Sequence, residues 1–222
     1  MTATETSAAE IPTTETAAGP AHVTDKGGHA APHTSTGISN EKLAMWAFLG
    51  SECLLFGALI ATYFLYRNRL GNGAIRPGLA YDIPFTSVSS FILLMSSLTM
   101  VLALAGFQRG DLRRGRIWLL CTALLGSGFI GGQVYEFTIF IHQGMTIKTN
   151  PASSAFFVLT GFHGTHVAIG VLMLLTLVFM SMKGRISQDR SEIIEIAGLY
   201  WHFVDVVWIV VFTVVYLLPG NR

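Results

Sequence analysis

The chain has 222 residues, 51% of them apolar and only 12% charged, with a formal net charge of +1 and a mean hydropathy of +0.54. Soluble domains carry about 25% charged residues, so this composition excludes an ordinary water-soluble fold. The two cysteines, Cys53 and Cys121, make no paired motif, which excludes haem attachment, a zinc ribbon and an iron–sulfur site.

In chain order, residues 1–40 come first, rich in Thr, Ala, Gly and Pro and poor in large apolar side chains. Such a segment cannot bury enough surface to offset its ordering entropy, so it is expected to be a disordered tail. It lacks the basic start and apolar stretch of a signal peptide. His22, His29 and His33 within it are too loosely spaced to define a metal site.

Five apolar stretches follow, at about 43–66, 85–107, 117–141, 154–182 and 193–218, each long enough to cross the roughly 30 Å hydrocarbon layer as a helix. Membrane strands would need about ten alternating residues, and SSFILLMSSLTMVLALAG neither alternates nor stops there. The expected fold is therefore all-α, a polytopic bundle of five transmembrane helices over residues 41–222. Five crossings put the tail and the 108–116 and 183–192 loops on one side. That side carries Lys26, Lys42, Arg109, Arg113, Arg114, Arg116, Lys183, Arg185 and Arg190, against Arg67, Arg69, Arg76, Lys148 and Arg222 on the other. The excess places the N-terminus in the cytoplasm and the C-terminus outside. The glycines of GSGFIGG, inside the third span, are expected to serve helix packing.

Polar residues inside these spans are the chemical signal. At about 1.5 Å per residue, Glu52 lies ten residues past Lys42, His163 ten past Ser153 and Asp205 twelve past Ile193, all near the bilayer centre. A charge there costs at least about 3 kcal/mol, so such groups face a bundle interior or a cleft, or stay neutral. Glu52 is accordingly expected to be protonated or hydrogen-bonded within the bundle. Glu136, twenty residues past Arg116, is expected at the outer interface, where ionisation is cheap. Residues three apart share a helix face, so His163 points with His166, and His202 with Asp205. A carboxylate one turn from an imidazole can fix its tautomer. Four readings of this set stay open: a metal site, a proton path, a polar head-group site, or hydrogen bonds that fix packing. An independent proton transporter or membrane metal enzyme is thus an alternative to any structural role.

Five motifs then carry a resemblance: SECLLFGAL, IPFTSVSSFILLMSS, GGQVYEF, SSAFFVLTGFHGTHVAIG and LYWHFVDVVWIVVFTVVYL. In this order they closely resemble subunit III of haem–copper terminal oxidases, the cytochrome c oxidase subunit 3 family, from residue 43 onward. The first two helices of the mitochondrial form are absent, as in many bacterial members. The resemblance implies a non-catalytic subunit of a proton-pumping oxidase in the aerobic respiratory chain of a bacterial plasma membrane. Such a subunit holds no haem, copper or other metal. It binds phospholipid, packs directly on subunit I, with subunit II and a small subunit IV as further partners, and supports proton uptake and endurance during turnover. No nucleic-acid partner is expected. Glu52 matches the family's carbodiimide-reactive glutamate, His163 and His166 its HGxH pair, and His202 and Asp205 its WHFxD pair, while Trp201, His202 and Glu52 are candidates for a lipid cleft. The donor to the complex is cytochrome c or quinol, and GFHG favours an aa3-type cytochrome c oxidase over a quinol oxidase.

Overall fold

The structure, a computed structural model, describes residues 39–67, 83–186 and 191–218. The expected tail lies outside the described residues but for its last two. Five helices account for nearly everything described: α1 (Asn40–Tyr66), α2 (Ile83–Gln108), α3 (Leu112–His142), α4 (Pro151–Met182) and α5 (Ser191–Phe212), the last running on into a π-helical segment, Thr213–Leu217. All five are long and apolar enough to span a membrane, and no strand occurs among the described residues.

Local chemistry sets the ends. Ser39, Asp111 and Asn150 cap α1, α3 and α4 by accepting from the backbone N–H three residues on, at 3.3, 3.1 and 2.6 Å. Pro151 follows its cap, where a missing N–H costs nothing. At the other ends, α2, α3 and α4 each stop at a glycine with positive φ: Gly110 (77°), Gly144 (84°) and Gly184 (70°). In each case the next residue donates back to a carbonyl five positions earlier, for example Met145 N–H to Phe140 O at 2.9 Å. This is the Schellman closure that glycine permits without steric strain.

Helices α2 and α3 form the most extensive pair, crossing where Gly106 meets Gly115; α5 packs on α2 and α4, and α1 lies chiefly on α4 and α5. Trp201 is the hub. It is fully buried, donates from Nε1 to Ser96 Oγ of α2 at 2.9 Å, and seats its ring against Gly126 of α3 and Gly170 of α4. A Cβ at Gly170 would stand 2.8 Å from Trp201 Cζ3, inside any tolerable contact. The expected packing role of GSGFIGG thus holds at Gly126, and at Gly132 against Ser89, whereas Gly128 and Gly131 face open space. Trp208, two turns beyond Trp201, repeats the device on α2 by donating to Ser90 Oγ at 2.8 Å. The rising number on α5 against the falling number on α2 makes the pair antiparallel.

Candidate functional site

The polar residues of the spans do not converge on one point; they fall into separate groups. The first joins α1 to α4. Glu52 Oε2 lies 3.1 Å from His166 Nε2, and both side chains are nearly enclosed, at 14% and 13% exposure. The other ring nitrogen, Nδ1, sits 2.8 Å from the Phe162 carbonyl. A carbonyl only accepts, so Nδ1 carries hydrogen. If the imidazole is neutral, Nε2 is bare and Glu52 must donate to it; if Glu52 is ionised, Nε2 must carry the proton. Either arrangement holds a single proton between the two atoms and leaves the pair without net charge. Phe56 of α1 packs edge-on to the His166 ring, centroids 5.1 Å apart, and Tyr200 of α5 donates to the His166 backbone carbonyl at 3.0 Å, tying α5 to α4 at this point.

His163, one turn earlier, is not part of that pair. It is fully buried among aromatic rings: stacked on Trp208 at 4.8 Å, and edge-on to Phe129 at 5.9 Å and Phe56 at 6.4 Å. Neither of its nitrogens has a hydrogen-bond partner among the described residues. His163 and His166 do sit on neighbouring parts of one helix, and the Phe56 ring packs against both.

The second group joins α5 to α2. The spacing predicts that His202 pairs with Asp205; instead His202 Nδ1 is 2.6 Å from Ser97 Oγ of α2. Asp205 is 3% exposed with neither carboxyl oxygen in hydrogen-bond geometry, and Ser97 is the side chain that interacts with it. The physical reason is geometric: side chains three apart on a helix lean the same way, outward onto the facing helix, and the hydroxyl presented there is a closer partner than a neighbour one turn along. Trp201, a candidate for a lipid cleft, is also corrected, since it is wholly enclosed at the bundle centre. His202 and Glu52 remain partly exposed.

The third group corrects Glu136. Expected at the interface, it is 5% exposed inside the bundle, accepting from Thr86 of α2 at 2.8 Å and from Tyr216 of the π-helical segment at 3.1 Å. Depth along a helix does not say which way a side chain faces, and Glu136 faces inward. One turn back, Gln133 donates from Nε2 to the Thr160 carbonyl of α4 at 2.7 Å. The serines of α2 that receive Trp201, Trp208 and His202 escaped the sequence reading. Their signal is the spacing of Ser90, Ser96 and Ser97 against two tryptophans seven apart on α5.

Chemically, these groups can hold and exchange protons and bind helices together. Among the described residues no three His, Cys, Asp or Glu side chains are grouped to hold a metal ion. The cytochrome c oxidase subunit III family matches residues 21–219. The chain belongs to this family. Similar relatives include quinol oxidase subunit 3 of Bacillus subtilis (strain 168), 41% identical over 176 residues, which cover 79% of this chain and 86% of that one. Cytochrome c oxidase subunit 3 of Bacillus sp. (strain PS3) is 39% identical over 191 residues, covering 85% and 92%. The same subunit of Corynebacterium diphtheriae is 36% identical over 173 residues, covering 77% and 84%. As a subunit III, the chain is a multi-pass membrane component of an oxidoreductase complex, in a family whose members carry no redox centre.

Proposed function

We propose that this subunit III is the non-catalytic third subunit of an aa3-type cytochrome c oxidase in a bacterial plasma membrane, with the N-terminus in the cytoplasm and the C-terminus outside. It packs on subunit I, with subunit II and a small subunit IV nearby, while haem and copper in those partners accept electrons and reduce oxygen. Its own contribution is proton supply and endurance. The observation that carries this reading is the Glu52–His166 pair: one proton shared across two helices, near the middle of two spans, on a partly open side of the bundle. A carboxyl and an imidazole so placed can pass the shared proton between them without leaving a net charge in the membrane, and uptake of a second proton makes the pair singly positive only until one is handed on. His163, His202, Asp205 and Glu136 hold the surrounding helices in position.

The test compares oxygen consumption over time for the wild-type complex and Glu52→Ala at equal haem content. The initial rate should be largely kept, with earlier inactivation during sustained turnover and a slower rate at high pH, where protons are scarce. Immediate and complete loss with the complex still assembled would make Glu52 part of the oxygen chemistry and end the accessory reading. Purified alone, the chain should show no activity, and from cells it should come with the haem-bearing subunits. An independent transporter or metal enzyme would work without them.

A second donor is favoured by a specific observation, the 41% identity to quinol oxidase subunits 3. Oxidation of reduced cytochrome c by the purified complex supports the first reading, and oxidation of a quinol alone supports the second.

A further inference from the structure

One stripe of α1 faces the bundle: Lys42, Met45, Leu49, Glu52 and Phe56, spaced three and four apart as one side of a helix requires. The stripe begins with a charge and reaches its carboxyl ten residues, or about 15 Å, later. Between the two lie only Met45 and Leu49, both packed into the core, so the seam offers water no polar foothold while α1 stays seated.

The charge at the mouth of the seam is tied to the last helix. Lys42 Nζ lies 2.9 Å from Glu195 Oε2 and 3.9 Å from Glu192 Oε1 of α5. Ser39, the residue that caps α1, also donates from Oγ to Glu192 Oε1. Among the described residues no other lysine or arginine pairs with either glutamate. The groups are partly solvated, with Lys42 26% exposed and Glu192 and Glu195 44% and 38%. Below these ties the hold on α1 is light: Phe48 stacks on Tyr200 with centroids 6.4 Å apart, and α1 is the least enclosed of the five helices. α5 is the anchored partner, because Tyr200 donates to the His166 backbone carbonyl of α4 and Trp201 is seated against α2, α3 and α4. Movement at this end therefore belongs to α1.

We propose that Ser39, Lys42, Glu192 and Glu195 form an ionic latch between the first and last helices, whose release swings the start of α1 off α5 and admits water from that end to the Glu52–His166 pair. The latch is salt-sensitive, because its charges are partly solvated, whereas the apolar seam behind it is not. The inference rests on the reading above for what the admitted proton does, and not for the opening itself, so either can fail alone.

The experiment treats the assembled oxidase complex with a water-soluble carbodiimide and follows labelling of Glu52 by peptide mass spectrometry. Lys42→Gln combined with Glu195→Gln removes the pair without altering net charge, so the attraction of a charged reagent to the surface is kept. This unpaired variant should label at Glu52 about fivefold faster than wild type, the scale of an ion pair of this exposure. Lys42→Glu combined with Glu195→Lys, which remakes the pair in reverse, should bring the rate back towards that of wild type. High salt should speed labelling in wild type and leave the unpaired variant as it is. Equal rates in all three proteins, or a reversed variant as fast as the unpaired one, overturns the latch. So does loss of the subunit from the complex in the unpaired variant, which would make the cluster an assembly contact. Faster labelling in the unpaired variant together with wild-type endurance in Glu52→Gln would keep the latch and end the proton role.

Discussion

Replacing Glu52 by Gln and by Ala separates what the carboxyl holds from what it exchanges. A glutamine of the same length can donate from its amide to a bare His166 Nε2, or accept from a protonated one, so the link at 3.1 Å survives. It cannot gain or lose a proton. Alanine removes the partner and leaves Nε2 unpaired. In soluble proteins that costs about 1–3 kcal/mol, but cross-helix hydrogen bonds within bilayers average about 0.6 kcal/mol. The residual 13% exposure of His166 argues for the lower figure. For a chain of this size about 1 kcal/mol moves a thermal midpoint by roughly 2–4 °C. Thermal dissociation of the subunit from the complex should therefore shift by about 2 °C in Glu52→Ala and by no resolvable amount in Glu52→Gln. Oxygen consumption over time should show both variants inactivating sooner than wild type. Equal destabilisation by Gln and Ala would refute the hydrogen-bond reasoning. Wild-type endurance in Glu52→Gln would refute the use of the proton.

Gly170→Ala should lower the thermal midpoint of the complex by several degrees, because the new methyl meets the Trp201 ring and overpacking typically costs about 1–3 kcal/mol; a midpoint equal to wild type would show that the ring can move. Ser97→Ala should weaken assembly by freeing His202 Nδ1 and depriving Asp205 of its neighbour, seen as easier loss of the subunit in detergent. Tyr216→Phe should cost about 0.6 kcal/mol by removing one donor to Glu136, readable in the same thermal assay. His163 sits in a ring of aromatics, so elemental analysis of the purified chain should find no stoichiometric zinc, iron or copper; one metal per chain, lost in His163→Ala, would contradict this.

The spans were legible because their signal is one-dimensional: enough apolar residues in a row, with turn glycines and capping residues between them. α3 and α4 merely run past the apolar stretches into capped polar turns at Leu112 and Pro151. The polar residues were legible as individuals, since a carboxyl or imidazole stands out in oil. Their partners were not. Counting rise from a helix end gives depth, and i, i+3 spacing gives a face, but which helix meets that face depends on how five rods pack. His202 therefore met Ser97 rather than Asp205, and Glu136 turned to Thr86 and Tyr216 rather than to water. Tyr216 reaches Glu136 from a π-helical segment, whose wider turn has no mark in TVVYL. Serine is also too common in transmembrane helices to announce that Ser90 and Ser96 are the seats of two indoles.

α1 is the least enclosed helix, with 11% of its most apolar window buried against 56% for the final span, and the helices it leans on are α4 and α5. Synthesis runs the other way: α1 emerges first, and its neighbours are the last two to be made. α2 and α3 can close on each other as soon as both are in the bilayer, while α1 waits in lipid with Glu52 lacking His166. Its length and apolar composition suit it to crossing the bilayer. A chain cut short before α4 would thus leave α1 carrying a carboxyl without its imidazole, and only the finished subunit supplies the match.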